Sequence, residues 1–335
     1  MTVAIFYKLA AIFLTVALGW VAGRMRWLDV APQPGGGSEQ ADPARLLGNA
    51  AFYIFVPALL FRTTVRLDFA TMPWRTVAAY FVPALVFLFG VYLWQRRRAG
   101  AARHGAAAPS VRAIAATFGN SVQVGIPMAA ALFGEAGLAI HIALVSLHAI
   151  VLLSVLTTLA ELDIERRRAA TGQATRLWPM LRQTLRNTII HPVVLPVLAG
   201  MLWHATGLGL HPVVDETLAL LGSAVVPICL VLIGLTLAYY DLQGQLRAAF
   251  VLSALKLLAL PALVLATAHW GFGLSGLPLS VVVLMAALPA GSNALIFSQR
   301  YATLQAETTA TIVISTVGFI ATASLWLALL TALGA

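Results

Sequence analysis

The sequence predicts an all-α membrane protein with ten transmembrane helices. Three observations support this fold class: the composition, the length of the apolar runs and the placement of the arginines. The 335 residues are 60% hydrophobic and 10% charged, with a mean hydropathy of +0.90, whereas a soluble domain carries about a quarter charged residues. A soluble core of this size cannot bury so much apolar surface, so we expect the chain to lie in a lipid bilayer.

The apolar runs define the individual helices. A hydrocarbon core about 30 Å thick is crossed by roughly 20 helical residues. Windows of that length, bounded by polar residues or by glycine and proline, recur along the whole chain and predict a single membrane domain over residues 1–335. The ten predicted segments, numbered in order, are Val3–Gly23, Leu46–Val65, Trp74–Trp94, Val111–Phe133, Leu138–Ala160, Thr188–Thr206, Thr217–Ala238, Ala248–Trp270, Pro278–Phe297 and Thr308–Leu330.

The arginines predict the orientation, because cytoplasmic loops carry an excess of Lys and Arg. Sixteen arginines fall beside the loops after segments 1, 3, 5, 7 and 9, whereas the opposite side holds only Arg62, Arg66 and Arg75. Both termini are therefore predicted to be periplasmic in a bacterial inner membrane. Since the net charge of +9 follows this topology, nucleic acid is not an expected partner, because phosphate binding needs a clustered basic surface.

The middle of the chain predicts an internal repeat. The longest polar connection, residues 161–187, is expected to be a cytoplasmic linker between repeat one (residues 1–165, segments 1–5) and repeat two (residues 188–335, segments 6–10). Because five is an odd number of segments, the second repeat inserts upside down relative to the first. Prolines at similar places in segments 2 and 7 agree with this, although membrane helices tolerate proline in general.

Segments 4 and 9 are both interrupted at mid-membrane. Segment 4 contains GNSVQVGIP at residues 119–127, and segment 9 contains LPAGSN at residues 288–293. Proline removes a backbone donor and glycine allows the helix to open, and irregular backbone at this depth is tolerated where it is buried in protein or lines a cavity. The simpler alternative, two structural kinks, requires a coincidence in both halves. The predicted helix-break residues are Gly119, Gly125, Pro127, Pro289 and Gly291.

The paired interruptions predict a site for a small organic anion. Opened helices present N-termini whose free N–H groups and positive dipole ends suit a carboxylate. All twelve Asp and Glu residues lie in predicted loops or at helix ends, so the midplane lacks the acid that cation carriers commonly use. We therefore expect a secondary transporter. The predicted substrate-binding residues are Asn120, Ser121, Gln123, Pro127, Pro289, Ser292, Asn293 and Lys256.

Several single residues leave alternatives open. Lys256 in segment 8 is either a counter-charge, for the substrate or for the carbonyl end of a broken helix, or a lysine whose stem reaches the cytoplasmic surface. His141 and His148 share one face of segment 5, and buried histidines satisfied by neighbours are favoured over a metal site or a proton relay. With one cysteine, Cys229, and no catalytic motif, neither a metal, a cofactor nor an enzyme activity is predicted.

Five stretches in this order resemble the auxin efflux carrier family, which includes plant PIN-type carriers and bacterial malonate transporters. They are FVPALLF at residues 55–61, NSVQVGIP at 120–127, LGSAVVP at 221–227, KLL at 256–258, and LPAGSN at 288–293 with QRY at 299–301. The resemblance implies ten helices in two inverted repeats, with helices 4 and 9 broken and crossing at Pro127 and Pro289. It also implies that Asn120 meets the substrate carboxylate.

The resemblance further implies movement of segments 3–5 and 8–10 against a scaffold of segments 1, 2, 6 and 7, through which a homodimer can form. Because the chain lacks the long central cytoplasmic domain of the plant members, a dicarboxylate such as malonate fits better than auxin. The coupling ion, a proton or sodium, stays unspecified. A passive channel or a substrate-sensing receptor of the same fold is the alternative, and an enzyme acting on lipids is a third hypothesis.

Overall fold

The structure is a computed structural model that describes residues 3–28, 43–66, 73–98, 105–170, 192–239 and 246–334, together with residues 182, 186, 189 and 190. Every extended regular element in this part of the chain is a helix. The helices are α1 (Val3–Arg24), α2 (Pro43–Val65), α3 (Trp74–Arg97), α4 (Ala108–Thr117), α5 (residues 121–133), α6 (residues 135–170), α7 (Val194–Ala205), α8 (Pro212–Tyr239), α9 (Leu246–Gly271), α10 (Gly276–Ala287), α11 (Ser292–Arg300) and α12 (Gln305–Ala332).

Helices α5 and α6 form one helical stretch, Ser121–Ala170, that turns sharply at Gly134. The backbone of Gly134 has φ 64° and ψ −160°, a conformation that is essentially restricted to glycine. A side chain at this position would strain the turn. Gly134 therefore separates the end of predicted segment 4 from the start of predicted segment 5.

The helices have the length and composition of membrane spans. Among the described residues, six stretches are long and apolar enough to cross a bilayer, and three shorter apolar helices accompany them, Ala10–Arg24, Val194–Ala205 and Gly276–Ala287. The predictions of an all-α fold and of a multi-pass integral membrane protein are confirmed, whereas the ten-segment inverted repeat stays a prediction. The six stretches are Pro43–Val65, Trp74–Arg97, Ser121–Ala170, Pro212–Tyr239, Leu246–Gly271 and Gln305–Ala332.

Helix α6 is longer than the apolar run that predicted it, because its polar end still packs on protein. The run ends at Ala160, but the helix continues to Ala170. The hydroxyl of Tyr301 donates to Glu161 (3.0 Å) and that of Tyr92 donates to Asp163 (2.8 Å). The first part of the predicted linker is thus helical. Its residues 171–181, 183–185 and 187 lie outside the described residues.

The densest packing sorts the helices into two groups. Helix α1 packs on the second half of α8, and α2 packs on α7 and α8. In the other group, α3 packs on α4 and α9, and α10 packs on α9, α12 and the Ser121–Ala170 stretch. The α1–α8 contact depends on small residues: a Cβ atom at Gly234 would collide with the backbone of Val16 and Trp20, as is typical of close helix packing in membranes.

Ion pairs reinforce these groups at the two ends of the bundle. At the arginine-rich end, Arg112 of α4 donates to both carboxylate oxygens of Glu307 of α12, at 2.7 and 2.9 Å. Glu307 is 4% exposed, so this pair is a buried link between the two helices. At the opposite end, Arg62 and Arg66 bind Asp215 at 2.9 and 2.6 Å, which joins α2 to α8.

Candidate functional site

Two non-helical chain segments meet in the interior and bind each other through their backbones. One is residues 118–120, between α4 and α5, and the other is residues 288–291, between α10 and α11. The N–H of Asn120 donates to the carbonyl of Pro289 (2.8 Å), and the N–H of Gly291 donates to the carbonyl of Phe118 (2.9 Å). This exchange, which includes an antiparallel bridge between Gly119 and Ala290, satisfies backbone groups that lipid could not satisfy. We call it the crossing.

The crossing requires glycine at position 291. A Cβ atom there would lie 2.9 Å from the carbonyl oxygen of Gly119 and 3.2 Å from the backbone nitrogen of Asn120. Any larger residue would push the two backbones apart. The short polar interruptions in the two halves of the sequence are therefore halves of one structure.

Two helices begin at the crossing. Helix α5 starts at Ser121 and α11 starts at Ser292, so both direct the positive ends of their dipoles towards it. Asn120 caps α5, because its Oδ1 accepts from the N–H of Gln123 (3.2 Å) while its Nδ2 donates to Gln123 Oε1 (3.1 Å). The two polar side chains are thus held side by side at the helix N-terminus.

A cavity of about 310 Å³ lies against these helix N-termini. It falls within the size range of small-molecule sites. Its wall combines hydrogen-bonding groups with aliphatic side chains, and among the described residues that line it Arg45 is the cation and Asp and Glu are absent. The polar or amphipathic lining residues are Arg45, Asn49, Tyr53, Asn120, Gln123, Thr236, Ser292 and Thr316.

The structure brings three of the predicted substrate-binding residues together on the cavity wall, namely Asn120, Gln123 and Ser292. Pro289 lies at the crossing itself, where its carbonyl accepts from Asn120. The described lining does not include the remaining predicted residues. Among these, the Ser121 side chain is buried and the Ser121 carbonyl contacts His141 Nε2 at 2.8 Å, and Asn293 is half-buried.

Pro127 and Gly125 have different roles from those expected. Pro127 lies within the helix that follows the π-turn Ser121–Gly125, so the partner of Pro289 at the crossing is Asn120 and not Pro127. The break at residues 118–120 precedes Pro127, which is the second residue of the α-helical part of α5 that begins at Ile126. Gly125 is required by packing, since a Cβ atom there would lie 2.5 Å from His141 Nε2.

Lys256 is fully buried, and its Nζ donates to the carbonyl of Ala286 at 2.6 Å. Ala286 lies in the last turn of α10, so the ammonium meets the negative end of a broken helix. The interpretation of Lys256 as a lysine that reaches the cytoplasmic surface is therefore wrong. Lys256 lies beside the crossing, where its Nζ would be 3.5 Å from a Cβ atom placed on Gly119.

The two histidines of α6 differ from each other. His141 has the expected neighbour, because its Nε2 contacts the carbonyl of Ser121. His148 is buried with neither ring nitrogen bonded to a described residue. Its ring lies 4.3 Å, between centroids, from the ring of Phe118 and 5.9 Å from that of Tyr80.

Sequence reasoning missed the contribution of α2 to the cavity. Arg45, Asn49 and Tyr53 recur every four residues and so lie on one face of this helix. That spacing was a usable signal, but Arg45 was counted only among the sixteen arginines beside the predicted cytoplasmic loops. Thr236 and Thr316 carried no sequence signal, because threonine is common in membrane helices, where its hydroxyl donates to the carbonyl four residues back. Both threonines make this bond here.

A multi-pass helical bundle with a polar cavity at interrupted helices is typical of membrane transport proteins. The sequence profile of the family described as "Membrane transport protein" matches residues 4–327. The chain belongs to this family, the auxin efflux carrier family.

Two curated relatives agree with this assignment. A protein of Methanothermobacter thermautotrophicus named "Uncharacterized transporter" is 24% identical over 265 residues, which cover 77% of this chain and 79% of the relative. A protein of Rhizobium meliloti named "Putative malonate transporter" is 26% identical over 288 residues, covering 82% of this chain and 83% of the relative. Both names are those of transporters and not of enzymes.

Proposed function

We propose that this membrane transporter is a secondary carrier of a small organic anion, a mono- or dicarboxylate, and that it works by alternating access. One observation carries the proposal: the N-termini of α5 and α11 meet beside a single cavity whose described wall holds Arg45 but no carboxylate. An anion there faces two positive helix ends and the neutral side chains of Asn120, Gln123 and Ser292.

The physical case is one of charge compensation. Moving a carboxylate into a low-dielectric interior is costly unless hydrogen-bond donors and positive potential replace its water. Helix N-termini supply both without a large desolvation cost of their own. A cation would be repelled by Arg45 and by the same positive helix ends, and the described wall offers it no carboxylate, so the site disfavours it.

We propose further that the cavity faces the cytoplasm of a bacterial inner membrane and that both termini are periplasmic. Support comes from Arg45 at the cavity and from Arg112 and Arg300 at the same end of the bundle, since arginines concentrate on the cytoplasmic side. With its cavity facing the cytoplasm, the carrier is in the inward-open state of the transport cycle.

The proposed architecture is ten segments in two inverted repeats, divided by the linker. The packing of α1 and α2 on α7 and α8, apart from the dense packing among α3, α4, α9, α10 and α12, supports a scaffold and a moving body that carries the crossing. Alternating access then requires sliding at the contact between the π-turn Ser121–Gly125 and the second half of α8. The scaffold is the surface through which we expect a homodimer.

The name of the Rhizobium relative suggests malonate as the first dicarboxylate to test, and the first experiment is ligand-dependent thermal stabilisation of the purified protein. The panel is acetate, pyruvate, benzoate, malonate and succinate, with choline as a cationic control. A ligand that binds the folded protein raises its melting temperature by mass action, by about 2.7 kcal/mol of stability at one hundred times Kd. Saturable stabilisation by an acid supports the proposal, whereas stabilisation by choline alone contradicts it.

A matched pair of variants on α11 locates the site. Ser292 lines the cavity, whereas the hydroxyl of Ser298 donates to Leu295 in the same helix. We expect Ser292→Ala and Asn120→Ala to weaken stabilisation by the acid, and Ser298→Ala to leave it unchanged. Equal affinities in all three variants would place the site elsewhere.

Transport is tested separately in proteoliposomes. If the protein is a carrier, proteoliposomes loaded with unlabelled acid accumulate labelled acid transiently by counterflow. A channel cannot do this. Saturable counterflow supports the carrier. Binding without flux would leave a substrate-sensing receptor, and flux without saturation or counterflow would leave a channel.

A further inference from the structure

A group of buried basic and phenolic side chains lies beside the crossing, and the transport cycle above does not use it. Tyr80 of α3, His141 and His148 of α6 and Lys256 of α9 are each 1% exposed or less. Four of their polar atoms have no partner among the described residues: Tyr80 Oη, His141 Nδ1 and both ring nitrogens of His148. We call these four residues the basic cluster.

The basic cluster contacts the segment 118–120 of the crossing and the end of the helix that leads into the segment 288–291. His148 contacts the ring of Phe118, whose carbonyl accepts from Gly291. Lys256 binds Ala286 at the end of α10 and lies next to Gly119. Residues 118 and 119 therefore separate the basic cluster from Asn120, which lines the cavity.

Carboxylates do not neutralise this cluster in the described part of the chain. The buried acids there are Glu165 and Glu307, which bind Arg168 and Arg112 at the arginine-rich end. The titratable groups that interact electrostatically with His148 are Lys256 and His141, and Tyr80 is its uncharged phenolic neighbour. A second positive charge beside Lys256 is therefore unfavourable until an anion arrives.

We infer that His148 binds one proton when a carboxylate occupies the cavity beside the crossing, so that the carrier moves its anion together with a proton. This inference rests on the proposed function. A water-derived proton forms an N–H bond at a free ring nitrogen, imidazole becomes imidazolium, and hydroxide or buffer base stays in solution. The anion and the imidazolium stabilise each other because both lie in a low-dielectric interior.

His148 is the group best placed for this role. Lys256 already donates to Ala286, and His141 has one unpartnered nitrogen, Nδ1. In His148 both nitrogens are unpartnered and the ring contacts Phe118 of the crossing. The unpartnered Tyr80 hydroxyl lies on the neighbouring ring, and its oxygen can accept the hydrogen bond of a new imidazolium N–H after a small side-chain movement. Proton and anion binding are thus linked, and each raises the affinity for the other.

The test on the wild-type protein is proton uptake upon malonate binding. Purified protein in detergent, in a weakly buffered solution at neutral pH with an indicator dye, receives malonate adjusted to the same pH. We expect about one proton to be taken up per malonate bound. We also expect the malonate Kd to rise by up to about tenfold per pH unit near neutral pH. Malonate binding without proton uptake, and with a Kd independent of pH, would overturn the inference.

A histidine pair assigns the proton to a residue. His148→Gln is compared with His211→Gln, since His211 is an exposed N-cap of α8 at the opposite end of the bundle. We expect His148→Gln to abolish proton uptake and flatten the pH dependence of Kd, and His211→Gln to keep both. Full proton uptake in His148→Gln would overturn the assignment. If His148→Gln does not fold, the wild-type Kd profile still decides whether a proton accompanies the anion.

The same measurements separate the two hypotheses. If malonate and every other acid of the panel fail to bind wild type, the proposed function fails and the inference fails with it. If an acid binds and shows counterflow but neither takes up protons nor responds to pH, only the inference fails. In proteoliposomes with an internal pH dye, an inward malonate gradient is expected to acidify the lumen in wild type and not in His148→Gln.

Discussion

Gly291 and Gly119 approach so closely that a Cβ atom on Gly291 would lie 2.9 Å from the carbonyl oxygen of Gly119. This contact allows Gly291 to donate to Phe118 and Asn120 to donate to Pro289. The geometry of the crossing thus depends on one residue that has no side chain. Substitutions there are the most direct way to disturb it.

We expect Gly291→Ala to lower the melting temperature and to abolish transport. Forcing a methyl group into a packed interior typically costs about 1–3 kcal/mol, and here the neighbour is backbone that cannot rotate away. The control is Gly90→Ala in α3, where a Cβ atom meets nothing within 4 Å. The prediction is contradicted if Gly291→Ala melts and transports like Gly90→Ala.

Arg45 is expected to set the affinity for the anion. It is exposed and lines the cavity, so Arg45→Gln should weaken acid binding by about three- to tenfold, and more at low salt than at high salt. The measurement is the Kd from thermal stabilisation at two salt concentrations. Arg247→Gln, an exposed arginine at the start of α9, should behave as wild type. Equal effects of the two variants would indicate a nonspecific surface charge.

The Arg112–Glu307 pair is expected to stabilise the bundle more than the pair at the other end. Glu307→Gln removes the charged partner of Arg112, whose side chain is 14% exposed and keeps only the neutral acceptor Gln95. Removing one partner of a buried ion pair typically costs about 3–5 kcal/mol. Arg66→Gln is the control, because Arg66 is 56% exposed and Asp215 keeps Arg62; a change below about 1 kcal/mol is expected. Melting temperatures in detergent decide between them, and a larger loss in Arg66→Gln would refute the ranking.

The orientation can be read with single cysteines. Because Cys229 is the only cysteine of the chain, Cys229→Ala provides a background for His211→Cys and Arg247→Cys, at opposite ends of the bundle. On cells with a permeabilised outer membrane, an impermeant maleimide should label His211→Cys and reach Arg247→Cys only after the inner membrane is opened. The reverse pattern would place the termini in the cytoplasm.

Local signals made much of the fold predictable. Apolar runs mark helices because each must match the thickness of a bilayer. Residues 119–120 and 289–291 could be recognised as interruptions, since glycine, proline and amides stand out in an apolar run. The meeting of Asn120 with Pro289 was expected only in outline, through the family resemblance.

Contacts between distant residues were not predictable in the same way. Nothing near Lys256 in the sequence indicates that its partner is the carbonyl of Ala286, because that bond depends on how α9 packs against α10. Pro127 illustrates the opposite error: a proline is a strong local signal, but here it lies inside the helix that follows the break. The share of α2 in the cavity likewise depends on packing between separate parts of the chain.

The exchange of backbone bonds at the crossing also orders events during synthesis. Asn120 leaves the ribosome about 170 residues before Pro289, which at 5–20 residues per second is on the order of ten to thirty seconds. Throughout that interval the first interruption lacks its eventual partner, in a medium that offers its amides no substitute. We expect a nascent chain arrested before Pro289 to be cleaved by membrane proteases faster than the finished protein. In the arrested chain, the backbone groups of Phe118 and Asn120 lack their partners Gly291 and Pro289.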